Sequence, residues 1–480
     1  MRFNNPNYEN EELAYEDVFL FQNYFEWTSR FWGIDIRPAF SFWTSIPIVS
    51  ANMNAVTGKR MCEALARLWG LWILPQDMDI ETMCRIVTEI KWASIKFDTP
   101  VTVKSHHTIR DALWIIYKRS HNAVIMTDDD NRPTGIFTLK DFNDLDQYTQ
   151  LWSLKKSFLI TWTEDITDEE AFDLMEDKWI SSLPIVCENW KLLWILTKKQ
   201  TVRNSIYKPT LDNNWRLDLW VALWINQFME KARTLIKMWV SIFVLDTAHG
   251  YQKKMLDAIM QFRSEFWDDP ILIAWNVITE EWTRTLIEAW ANWVKVWVWP
   301  WAMCTTRMKT WVWRPQFTAV RKCSLEAKRL GWFIWADGGI KEPRDLVLAL
   351  AAWANHVMIW TLFSWTYEST GDIKFDETWR MYKANYWMAS RKAVTLRNSG
   401  ISNFELARKA LFKEGISASK IFIKEWREWV GDIVDEFMTW LRSSMTYIWW
   451  ENLEKFNEKS IIWVQTNAWF YEWTPHWKVR

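Results

Sequence analysis

The chain has 480 residues, 58 Lys+Arg against 59 Asp+Glu and a formal charge of −1, and its 49% hydrophobic and 24% charged shares exclude wholesale disorder. The neutral balance removes the electrostatic footprint of a nucleic-acid or membrane-surface binder, and no apolar run approaches the ~20 residues that span a bilayer. Met1, Arg2, Phe3, Asn4, Asn5 and Pro6 form no apolar signal core, and 5 scattered cysteines without a close pair fit a reducing compartment, so the expectation is a cytoplasmic protein.

Tryptophan is the compositional outlier, with 42 copies beside 12 glycines. Average usage of about 7% predicts roughly 34 glycines. The tryptophans crowd turn-like places: Trp297, Trp299 and Trp301 around Pro300, Trp311 and Trp313, and Trp69 and Trp72 beside Gly70. An indole side chain cannot take positive φ without strain. Most of these positions therefore read as UGA codons rendered as Trp, from an organism that decodes UGA as glycine. The alternative is a genuinely Trp-rich chain. A Trp in a glycine slot is treated below as provisional glycine.

In chain order, 46–53 and 71–74 read as the first two strands of a barrel. Residues 95–204 then break the rhythm with two similar units, 99–141 and 158–201. The first places a helix at 112–118 before strands at 123–127 and 135–138. The second repeats the order with 169–176, 183–186 and 192–196, and the segments 138–141 and 197–200 correspond. An internal duplication inserted in a barrel points to a regulatory module. Lys198 and Lys199 could meet a phosphate there, although a solvated surface is the favoured reading.

From about 216 onward, short apolar strands alternate with helical stretches: 240–246, 271–276, 294–298, 333–337 and 356–360, with an amphipathic helix at 317–330. The longest interval, between Val294 and Phe333, holds Cys304 directly after a strand, on what would be the catalytic face of a (β/α)8 barrel. Asp246, Asn276, Asp337 and Thr361 end successive strands. Helix capping accounts for any one of them alone, but less easily for four beside a cysteine loop. Residues 365–425 read as a mobile flap, and 431–441 as a helix that closes the barrel. The expected fold is α/β: a TIM barrel built from 1–94 and 205–480, with 95–204 inserted.

The run Val294-Lys295-Val296-Trp297-Val298-Trp299-Pro300-Trp301-Ala302-Met303-Cys304-Thr305-Thr306-Arg307 resembles the catalytic loop of the inosine-monophosphate dehydrogenase/GMP reductase family, VKVGxGPGxxCTTR, with Trp in the glycine slots. Ala51-Asn52-Met53-Asn54-Ala55-Val56-Thr57, Leu74-Pro75-Gln76, Asp246-Thr247-Ala248-His249-Gly250 and Ala336-Asp337-Gly338-Gly339-Ile340 match in the family's order. The insertion resembles the paired cystathionine-β-synthase (CBS) domains of the dehydrogenases, which would bind an adenine or guanine nucleotide.

The resemblance implies that Cys304 attacks C2 of the purine and forms a covalent adduct, as a thiolate of lowered pKa can. Cys62, Cys84, Cys187 and Cys323 read as packing residues. Ala51 and Met53, with Asp337, Gly338, Gly339, Trp360, Thr361, Trp387 and Met388, are implied to bind the nucleotide IMP or GMP. Asp337 would accept from the ribose, the glycine slots would cradle phosphate, and Met388 would lie at the purine edge. Asp246, Thr247, Ala248 and Asn276 are implied to meet NAD or NADP, and Asp246 and Asn276 to lie against the reacting centre, Asp246 as a catalytic residue beside Cys304. The carbonyls of Trp299, Trp301 and Cys304 would hold a monovalent cation, usually potassium. The family also implies a homotetramer or homo-octamer.

Direction rests on three features. The residues before Glu414-Gly415 contain no Arg-Tyr pair of the kind that dehydrogenases use to activate water. Tyr386-Trp387-Met388-Ala389-Ser390 resembles the reductase form YGMSS more than RGMGS. Thr306 and Glu414 match the reductase pair for ammonia transfer, although dehydrogenases retain both. The CBS-like pair points the other way. The preferred reading is GMP reductase, because a missing water-activating base slows adduct hydrolysis and leaves hydride return untouched. The alternatives are IMP dehydrogenase and, if the tryptophans are genuine and the phosphate loops cannot form, a non-catalytic nucleotide-sensing CBS protein.

Overall fold

A computed structural model of the chain describes all residues except 25–28, 30–32, 39–43, 155–158, 227, 268–269, 298–305, 379, 386–401, 403, 406, 409–418, 425–426, 449–450 and 473–480. Eight parallel strands close into a barrel: β1 (Ile48–Ser50), β2 (Leu71–Leu74), β3 (Trp220–Trp224), β4 (Ile242–Asp246), β5 (Ile271–Val277), β6 (Trp293–Val296), β7 (Phe333–Asp337) and β8 (His356–Ile359). Each strand is a short apolar run buried on both faces, as a parallel barrel demands. The helices between them are amphipathic and cover the outside: α1 (Lys59–Arg67), α2 (Ile80–Lys91), α3 (Met229–Lys237), α4 (Lys253–Phe266), α5 (Glu280–Glu288), α6 (Gln316–Arg329), α7 (Pro343–Ala351) and α8 (Val430–Ile448). The last of these packs on α7 and α1 and closes the ring, longer than the 431–441 expected from sequence.

Two expectations need correction. The strand Trp220–Trp224 pairs with both Leu71–Leu74 and Ile242–Asp246, and the apolar-run reading passed over it. Treating Trp220 and Trp224 as provisional glycines flattened its signal. The 365–425 stretch is also not wholly a flap. Ile373–Phe375, Met381–Asn385 and Ser419–Phe422 form a three-stranded antiparallel sheet.

Residues 95–204 hold two small units. In the first, Thr102–Lys104 runs parallel to Ala123–Thr127, which pairs antiparallel with Pro133–Thr138. In the second, Trp162 bridges parallel to Ile185, and Ser182–Val186 pairs antiparallel with Leu192–Thr197. Matching capping boxes start their helices: Thr108 with Asp111 at Ile109–Ile116, and Thr167 with Glu170 at Asp168–Asp177. The two units share a small core of Ala123, Ile125, Leu192 and Ile195. Lys198 pairs with Glu176, and Lys199 with Asp432 of α8, surface ion pairs in keeping with the solvated reading.

The backbone bears directly on the tryptophan question. Twelve described non-glycine residues have positive φ, and nine of them are Trp: Trp69, Trp179, Trp190, Trp215, Trp239, Trp267, Trp290, Trp311 and Trp353. The other three are Asn122, Asn131 and Asp144, types that tolerate this region. Five of the tryptophans occupy one motif at a helix C-terminus. Trp239 N–H donates to Ile236 C=O and Val240 N–H to Leu235 C=O, and the same two bonds recur around Trp69, Trp179, Trp290 and Trp353. This is the double hydrogen bond that ends a helix on a left-handed residue, usually glycine. Gly331 supplies the internal comparison: at φ 82° it ends α6 with the same pair of bonds. Trp179 is 95% exposed, an indole with almost nothing to pack on. The indole N–H groups of Trp72 and Trp335 are buried with no hydrogen-bond partner among the described residues, an arrangement a native core avoids.

Candidate active site

In a parallel barrel every strand delivers its last residue to the same rim. Asp246 ends β4, Asn276 precedes the last residue of β5, and Asp337 ends β7. Ala51 and Met53 follow β1, and Trp360 and Thr361 follow β8. The polar strand ends singled out in the sequence thus share one face of the barrel.

Between β7 and β8 the turns enclose a cavity of about 250 Å³ lined by Gly338, Gly339, Ile340, Trp360, Thr361 and Leu362, among others. Gly338 and Gly339 have φ of 83° and 80°, which a side-chain-bearing residue adopts only under strain. A Cβ on Gly339 would also come within 3.1 Å of the Tyr15 ring. The helix Thr361–Ser364 begins at this cavity, with Trp360, which also lines it, at its N-cap.

On the opposite side, the Asn52 amide donates to Asp246 Oδ2 at 2.8 Å, and the Trp275 indole donates to Oδ1. Asn276 Nδ2 donates to the Thr247 carbonyl at 3.2 Å, while Asn276 Oδ1 is buried with no hydrogen-bond partner among the described residues. Ala248 lies in the same 246–250 turn. That turn lies against β5 because Gly250 permits it: its N–H donates to the Asn276 carbonyl at 2.9 Å, and a Cβ there would sit 2.6 Å from that oxygen. Gly250→Ala should push the 246–250 turn off Asn276. We expect at least ~10-fold loss of turnover with little change in nucleotide affinity, checked by steady-state kinetics beside calorimetric binding.

The loop after β1 is held from within. Thr57 Oγ1 donates to the Ala51 carbonyl at 2.5 Å, and Met53 N–H to the same carbonyl at 2.8 Å. The interior of the barrel holds an ion pair that sequence reading did not single out. Lys295 on β6 donates to Asp337 and lies 3.6 Å from the Trp275 ring centroid. Its signal in the sequence was one charged residue between two valines, and only barrel closure decides that such a residue points inward.

Cys304, Glu414, Trp299, Trp301, Trp387 and Met388 lie outside the described residues. Thr306 begins a short helix, Thr306–Thr310, directly after the cysteine loop. Cys62 and Cys323 are buried, Cys84 and Cys187 are partly buried, and all four are free thiols, as expected of packing residues. Burial raises the Cys323 thiol to about 12, far from a reactive thiolate.

Among the described residues, no helix is long and apolar enough to cross a membrane. Residues 12–476 match the IMP dehydrogenase / GMP reductase domain. The chain is 40% identical over 476 residues to GMP reductases of Mycobacterium tuberculosis and Mycobacterium bovis, covering 99% of each chain. It is 32% identical over 457 residues to an inosine-5′-monophosphate dehydrogenase of Aquifex aeolicus, covering 94% of this chain and 92% of that protein. A crystal structure of a GMP reductase variant from Trypanosoma brucei in complex with guanosine 5′-monophosphate superposes with a TM-score of 0.68 at 27% identity, covering 99% of this chain and 100% of that one. The chain is an oxidoreductase and belongs to the IMP dehydrogenase/GMP reductase family.

Proposed function

We propose that the protein is a GMP reductase, converting GMP, NADPH and protons to IMP, NADP⁺ and ammonia. The observation that carries this reading is the 40% identity over 99% of the chain to GMP reductases, against 32% to a dehydrogenase. The lack of an Arg-Tyr pair before Glu414-Gly415 and the Tyr386-Trp387-Met388 form support the same direction.

In this reading the Cys304 thiolate bonds to C2 of GMP and the 2-amino group leaves as ammonia, with Thr306 and Glu414 moving the proton. Hydride then arrives at C2, the C–S bond breaks, and the thiolate is restored with IMP as product. A nicotinamide cofactor supplies that hydride. Asp246, Thr247, Ala248 and Asn276 would hold it, and the unpartnered Asn276 Oδ1 suits the N–H donors of a carboxamide. The monovalent cation at Trp299, Trp301 and Cys304, and the tetrameric or octameric assembly, rest on family resemblance alone.

The reading includes glycine in the native chain at the nine left-handed tryptophans and at 297, 299, 301, 360 and 387. Without it the cavity beside Gly338 keeps an indole where phosphate would sit. Residues 95–204 are read as a tandem CBS pair that binds a regulatory adenine or guanine nucleotide, supported by the two units of like topology. That pair is also what favours IMP dehydrogenase as the second reading. The test is turnover of GMP with NADPH beside IMP with NAD⁺, followed by absorbance of the reduced cofactor. Consumption of NADPH with release of ammonia is expected. Oxidation of IMP with no turnover of GMP would reverse the assignment.

A further inference from the structure

Lys295 is 2% exposed and Asp337 6%, both at the floor of the rim that carries the candidate site. Their strands are neighbours, with Val296 opposite Ala336 in the register, so the lysine reaches across one strand to the carboxylate. Lys295 Nζ engages Asp337 Oδ2. No hydrogen bond among the described residues takes Oδ1. The backbone is fixed at the same place: Gln316 Nε2 donates to the carbonyls of Asp337 at 3.0 Å and Val296 at 3.1 Å, tying the ends of the two strands together.

A buried ion pair is a poor source of stability, because desolvation offsets most of the attraction. Removing one partner, by contrast, leaves the other charge stranded. Burial pushes the Asp337 carboxyl above its ordinary range, and the opposing influence is Lys295. Burial likewise lowers the lysine, opposed by Asp337 and, at longer range, Asp246. The ammonium therefore serves the charge state and aim of a carboxylate that begins the Asp337-Gly338-Gly339 turn.

We infer that Lys295 is a positioning residue for nucleotide binding: by holding Asp337 Oδ2 it keeps the carboxylate an acceptor and leaves Oδ1, beside Gly338, for the ribose hydroxyls of the purine nucleotide. The inference rests on the functional reading above, in which Asp337 meets the ribose. It assigns selection for a ribose over a deoxyribose to a residue that never touches the nucleotide.

The test is calorimetric binding of GMP and of 2′-deoxy-GMP to the glycine-bearing chain, without cofactor. The unsubstituted protein should prefer GMP by roughly 10-fold or more, the worth of a hydrogen bond to a charged acceptor. In Lys295→Met the preference should collapse to within about twofold, whereas a merely structural role would weaken both ligands alike and keep the ratio. An unchanged ratio in folded Lys295→Met overturns the inference. If that variant does not fold, Asp337→Asn is compared with Lys295→Met/Asp337→Asn, which strands no partner of the pair. Equal GMP affinity and equal ratio in the two support the inference, and a further loss in the double variant of more than about threefold overturns it. Unsubstituted protein that bound neither GMP nor IMP would remove the functional reading and the inference with it. Binding with no ribose preference would remove the inference alone.

Discussion

Cys304→Ala should abolish turnover of GMP with NADPH, lowering kcat by at least roughly 10⁴-fold, since removing the nucleophile of a covalent mechanism removes the reaction path rather than one contact. GMP affinity should stay within a few-fold, because phosphate, ribose and base are held by other elements. Steady-state kinetics with calorimetry separates the two effects. Retained turnover would exclude the covalent adduct whatever the direction of the reaction.

The second large effect concerns the tryptophans. Protein made with Trp at 69, 179, 239, 290 and 353 forces five helix ends into a conformation disfavoured by roughly 1 kcal/mol or more each for a residue with a side chain. Glycine at all five should raise unfolding free energy by on the order of 5 kcal/mol, comparable to the whole stability of many domains. Chemical denaturation of the two chains reads this directly. Glycine at 297, 299, 301 and 360 should in addition create GMP binding where the Trp form has none. A Trp form of equal stability that binds GMP would contradict the recoding. So would an intact mass of the native protein equal to the 58.0 kDa of the chain as written.

The parts of the fold legible in the sequence were those with local signals. Leu71–Leu74 and Phe333–Asp337 stand as bare apolar runs between polar turns, and their bounds match the expectation. The capping pairs Thr108/Asp111 and Thr167/Glu170 mark helix starts within the two inserted units through residues three apart. Strand Trp220–Trp224 escaped because its ends are residues read as glycine, which weakens any apolar pattern. The sheet at 373–422 escaped for a different reason: its strands are short and half-exposed, and Ser419–Phe422 pairs with Met381–Asn385 across more than thirty residues at its nearest, so alternation is faint.

In the site, Asp246, Asn276 and Asp337 were visible as polar strand ends, a position the barrel topology alone makes meaningful. The Lys295–Asp337 pair was not visible. Whether a lysine on a strand buried on both faces points into the barrel depends on closure of all eight strands, a property no local window holds. Gly250 was visible as a letter in a motif. Its reason, a carbonyl 2.6 Å from any Cβ, exists only once the two loops meet.

The most direct test is the mass of the peptide spanning 296–307 from native enzyme, acid-quenched during turnover of GMP with NADPH. The account predicts glycine at 297, 299 and 301 and a purine ribotide linked to Cys304 in a fraction of the molecules. Three tryptophans beside an unmodified thiol at every time of quenching would contradict it.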